Sequence, residues 1–145
     1  MLEGVSGLLI YLSLKLAGYT VWSYVGLRCF DPKRTNLAFR ALGRGLGRLV
    51  LGWMSGVFVA PFALMAVGTN HLPLFYFTAL AAVRWFEWGV IQLSIPFPEN
   101  GVSVFFNGGS QRGRLWRIAG ILVSYMADAP FLIQEGGFPQ GRLFC

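Results

Sequence analysis

Acidic side chains are scarce in this sequence, histidine is nearly absent, and cysteine is too sparse to build a framework. Six Asp and Glu stand among 145 residues, and charged residues of both signs make up 12% of the chain. That is about half the charged fraction of a soluble globular domain. Too little polar side chain is present to cover a water-facing surface, which excludes a soluble enzyme of ordinary composition. Two cysteines, Cys29 and Cys145, supply no disulfide scaffold, and the expected topology separates them across a membrane. The single histidine, His71, has no Cys or His companions at metal-ligand spacing, which argues against a zinc or haem centre. The basic excess, twelve Lys and Arg for a net charge of +6, has no nucleic-acid module to go with it.

What the chain has in quantity is apolar length. Hydrophobic residues make up 55% of it, and the mean hydropathy is +0.58. Four apolar stretches, 5–27, 48–68, 74–95 and 115–133, each approach the roughly 20 residues that a helix needs to cross a bilayer. Together they leave no room for a separate soluble domain, so residues 1–145 read as one transmembrane domain. The first stretch has no basic region before it and no small-residue cleavage site, and is expected to be a retained span rather than a signal peptide. Nine of the twelve cations lie within or beside the connections 28–47 and 96–114, whereas Thr69–Pro73 has none. By the positive-inside rule those two loops are cytoplasmic, and with four spans both termini lie outside. The fold expected is therefore an all-α integral membrane protein, a four-transmembrane-helix bundle in a bacterial-type inner membrane.

The anomaly in this pattern is charge inside the spans. Lys15, Arg84, Glu87 and Asp128 all fall well within apolar stretches, where each ionised group costs about 2.5–3.5 kcal/mol on insertion scales. They are expected to face inward as a neutral intramembrane network of two cations and two acids. Arg84 and Glu87 are three residues apart on one helix face, which predicts an ion pair between them. Lys15 has no acid on its own helix and Asp128 has no cation within reach on its own, so the long lysine stem is expected to reach toward the aspartate. Tyr11, Tyr19 and Ser124 place hydroxyls at helical spacing from these groups. A balanced set of this kind fits a polar lock better than a proton path, which needs unpaired carboxylates or histidines in sequence.

Three further features carry expectations. Arg40, Arg44 and Arg48 recur every four residues and are assigned to phosphate of the head-group layer. Gly43, Gly47, Gly52 and Gly56 are assigned to close packing against another helix, and Pro61 should kink that helix. The segment Val102–Phe106 is too short to span; it fits either a hairpin ending at Asn107-Gly108-Gly109 or a loop dipping into the interface. Trp85 and Trp88, beside Glu87, need acceptors for their indole N–H groups.

No catalytic set emerges from these residues. Tyr125-Met126-Ala127-Asp128 resembles part of an aspartate motif of lipoprotein signal peptidases, but it covers four residues and the partner Asp-Arg motif is missing, so no carboxylate dyad follows. The sequence implies no cofactor, although a bound lipid or pigment is left open. Membrane lipids and other membrane-protein subunits are the expected partners, and nucleic acid is not. The function expected is that of a small non-catalytic structural or assembly subunit of a larger membrane complex. In that role the second helix and the 96–113 loop form the partner interface, and both tails are held by neighbours. A small oligomeric proton- or ion-coupled transporter or channel is the alternative, and a lipid-modifying membrane enzyme the third reading.

Overall fold

The structure, a computed structural model, describes residues 5–33, 35–67, 72–95 and 101–134, with side chains described over 7–33, 35–58, 65, 77–95 and 101–130. Among these residues the chain is all-helical: α1 (Val5–Phe30), α2 (Leu37–Val67), α3 (Leu72–Leu93), a short α4 (Gly101–Asn107) and α5 (Gln111–Gln134). His71, Cys145, both tails and the 68–71 connection lie outside the described residues, as does the side chain of Pro61.

Helix ends follow local chemistry. Pro32 lacks an N–H and disfavours helical backbone at Asp31, so α1 stops at Phe30, with Asp31 N–H closing the last turn on Leu27 O at 2.8 Å. Asn36 adopts φ 59°, a left-handed conformation that asparagine tolerates better than most residues. Its carbonyl accepts the Arg40 N–H at 3.1 Å and so starts α2. Most of the 28–47 segment is therefore helix rather than loop.

The 96–114 segment also departs from expectation. Val102–Phe106 lies within α4, neither a hairpin nor an irregular loop. Gly108 follows at φ 79° and donates its N–H to Val104 O at 3.0 Å, the left-handed glycine cap of a helix C-terminus. Asn-Gly-Gly, read as a hairpin turn, here ends a helix.

α1 packs on α2 and α5, and α3 packs on α2 and α5, so the four long helices form a ring in the order α1–α2–α3–α5. The interior is unusually polar. Its apolar part centres on Tyr19, Leu27, Trp88, Ile91 and Trp116, with Trp88 edge-on to both Tyr19 and Trp116 at centroid distances of 5.8 and 5.3 Å. Among the described residues, nine buried ones are polar or charged, while twenty-five large hydrophobic ones are exposed. This is the reverse of the usual distribution in water. By length and composition, one helical segment among the described residues, Gly7–Phe30, is long and apolar enough to cross a membrane. The other long helices supply most of the buried charge.

Candidate functional site: a buried charge network and a helix clasp

Asp128 of α5 is the centre of the network. Its Oδ1 receives Lys15 Nζ of α1 at 2.8 Å and the Tyr11 hydroxyl at 2.8 Å; its Oδ2 receives Arg84 Nη2 of α3 at 2.6 Å. One carboxylate thus ties together three helices of the ring, and both ion pairs are almost wholly buried. The cations also lie over aromatic faces, Lys15 Nζ at 4.6 Å from the Tyr11 centroid and Arg84 at 4.1 Å from that of Tyr125. Such faces supply partial negative charge without adding a formal anion.

Glu87 belongs to a second pair. The expected Arg84–Glu87 bond within α3 is not formed: Arg84 turns to Asp128, and Glu87 Oε2 meets Arg48 Nη2 of α2 at 2.5 Å. Three-residue spacing permits a local pair, but a pair between helices fixes two elements at once and gives each cation a carboxylate. Arg48 is 1% exposed, its guanidinium 5.0 Å from the Tyr19 centroid and 5.5 Å from that of Trp88. Its assignment to the head-group layer is therefore corrected.

The arginine stripe divides because a helix advances about 100° per residue. Arg40, Arg44 and Arg48 step about 40° apart on the helix circumference, which brings Arg48 within about 20° of the buried Ala41. Arg40 stays exposed. Arg44 donates Nε to Ser94 Oγ at 2.7 Å and Nη2 to Ser94 O, at the end of α3, where a cation is favoured by the helix dipole. The same arithmetic separates the glycines. Gly43 lies about 180° from Gly52 and faces open space; Gly47 approaches Ile91. Gly45, passed over in the sequence, makes the tight contact: a Cβ there would lie 3.0 Å from Thr20 N and 3.1 Å from Thr20 Cα.

Arg117 forms the second constellation, read in the sequence only as a topology determinant. It is buried near the start of α5, with Nε on Gln92 Oε1 at 2.8 Å, Nη1 on Phe105 O at 2.8 Å and Nη2 on Val104 O. Burial is costly for an arginine that lacks acceptors, and here the guanidinium takes carbonyls at the end of α4. Gln92 Nε2 donates to Gly108 O at 3.0 Å, and Trp85 Nε1 to Phe106 O at 2.8 Å. α4 is thus clasped by α3 and α5. Trp88 Nε1 finds Ser124 Oγ at 3.1 Å, so neither indole turns to Glu87.

Both buried carboxylates among the described residues, Glu87 and Asp128, are engaged by cations. Among the described residues no group of His, Cys, Asp and Glu is arranged to hold a metal. In comparisons with protein-family models, curated proteins and solved structures, nothing matches this chain. Function has to be reasoned from the side chains themselves.

Proposed function

We propose that this protein is a non-catalytic structural or assembly subunit of a membrane complex, with four helices crossing the bilayer and both termini on the outer side. The observation that carries the reading is the commitment of both buried carboxylates: Asp128 is shared by Lys15, Arg84 and Tyr11, and Glu87 is held by Arg48. A general base or proton carrier needs a carboxylate that can exchange partners, and these hold helices together instead. The exposed apolar surface supports a lipid or protein surrounding for every long helix. On α2 it includes Leu42, Leu46, Val50, Trp53, Val57 and Phe58, and on the clasped α4 it includes Val102 and Phe106. These are the two faces proposed to meet a partner subunit.

The test is extraction of the tagged full chain from its native membrane in mild detergent, after crosslinking from positions on α2 and α4. Co-purification of a defined set of other membrane proteins, lost when Trp53 and Phe106 are changed to serine, is the expected result. A monodisperse particle of this chain alone that moves protons or ions in vesicles overturns the reading in favour of transport.

A further inference from the structure

The neutral network expected of the sequence does not describe the interior. Lys15, Arg48 and Arg84 contribute three positive charges to the buried cluster, and Glu87 and Asp128 contribute two negative ones. Among the described residues, cations in this water-shielded site outnumber carboxylates by one, which is costly unless an anion compensates the excess. The excess arises at Asp128, which serves both Lys15 and Arg84, and Arg84 lines the same space as Arg48. Glu87 takes only Nη2 of Arg48; the Nε and Nη1 of this 1%-exposed residue are buried and have no hydrogen-bond acceptor among the described residues.

A cavity of about 30 Å³ borders Arg48, between α2 and α3, lined also by Gly52, Ser55, Arg84 and Glu87 among others. Gly52 keeps it open on the Arg48 side, since a Cβ there would lie 3.0 Å from Nη1. The volume matches a small occupant, of about the size of a water molecule or a halide. We infer that this cavity binds a single monatomic anion of chloride size, held by Nε and Nη1 of Arg48 with Ser55 beside it. A water molecule in that place would leave the net charge uncancelled; a halide accepts from both donors and cancels it.

Bromide is the probe, because Trp88 lies beside Arg48 and its fluorescence would be quenched by a heavy halide bound there. With the full chain in detergent and sulfate as background anion, bromide is expected to quench a saturable fraction of the emission, and chloride to reverse it. Trp88→Phe removes that fraction. Arg48→Lys, which replaces the guanidinium fork by a point charge, weakens bromide on the order of tenfold, and Gly52→Ala closes the space and abolishes binding. Linear quenching in the wild-type protein that chloride does not reverse overturns the proposal and assigns the cavity to water. A saturable component that persists in both Arg48→Lys and Gly52→Ala overturns it as well.

Discussion

At the scale of the residue, Asp128 bears the most. Replacing it by asparagine keeps the volume but leaves Lys15 and Arg84 buried without their carboxylate. Removing one partner of a buried ion pair typically costs about 3–5 kcal/mol. Asp128→Asn is therefore expected to lower the unfolding midpoint in detergent far more than Tyr11→Phe, which removes the hydroxyl's hydrogen bond to Asp128, worth about 1–3 kcal/mol. Comparable midpoints for the two variants would mean that Asp128 is not the hub. The partners of Glu87 are tested separately by double-mutant cycles. Arg48→Met with Glu87→Gln should show a coupling of about 1–3 kcal/mol, whereas Arg84→Met with Glu87→Gln should show about 0.5 kcal/mol or less. The reverse ranking would restore the local pair within α3. Lys15, Arg84, Glu87 and Asp128 were legible as buried ions, because a charge within an apolar run is driven to face inward and find compensation. Who pairs with whom was not, because pairing depends on the order of helices around the ring. Arg48 and Arg117 were missed for a related reason: positioned at the ends of apolar runs, they resemble ordinary interfacial anchors.

At the scale of the element, Gly43 and Gly45 stand on the same helix with one residue between them, yet only one is needed. Gly43 meets nothing within 4 Å, whereas Gly45 lies against the Thr20 backbone of α1. Gly43→Ala should therefore raise stability by up to about 1 kcal/mol through helix propensity. Gly45→Ala should lower it by about 1–3 kcal/mol, because backbone rather than only a flexible side chain must move. Equal effects in thermal unfolding would contradict the close α1–α2 approach. The helix phase that separates the two was present in the sequence: Ala41, Gly45, Arg48, Gly52 and Gly56 share one face at 3.6-residue periodicity. The four-residue intervals drew attention to Gly43 and Gly47 instead. α4 gives the second expectation at this scale. Its seven residues are too few to be stable alone, and three of its carbonyls, with that of Gly108 beyond it, are held by Arg117, Trp85 and Gln92. Arg117→Lys keeps the charge but loses the fork, and should raise hydrogen exchange across Val104–Gly109 while leaving α1 unchanged. Protection that persists there would show that the clasp does not order α4. The apolar island was visible in the sequence; its fastening by a guanidinium from another helix was not, because nothing local encodes it.

At the scale of the whole molecule, the charged residues sort into two populations, and their separation bears on orientation. Lys15, Arg48, Arg84 and Arg117 are buried and committed within the fold, so they say little about which side of a membrane a loop occupies. Arg28, Lys33 and Arg40 on and around the α1–α2 connection and Arg112 and Arg114 on α5 are exposed. It is these that can meet anionic head groups, and they lie at the same end of the ring, since α1 ends where α2 begins and α4 leads directly into α5. Removing Arg48 and Arg117 from the count therefore leaves the proposed orientation intact, because the remaining exposed cations still favour the cytoplasm at that end. Cys29, exposed there, is expected to react with a membrane-impermeant maleimide in inverted vesicles and not in intact cells. In a Cys29→Ser background, Cys145 is expected to show the opposite pattern, because in the proposed arrangement α2, α3 and α5 make three crossings between the two positions. Labelling of both cysteines from the same face would require an even number of crossings and would overturn the four-span arrangement, even with every buried ion pair intact. That result would follow if one of these three helices, such as the charge-bearing α3, lay outside the bilayer. The two-cysteine comparison thus tests directly whether pairing Arg48 with Glu87, and Lys15 and Arg84 with Asp128, compensates enough charge for the three less apolar helices all to cross.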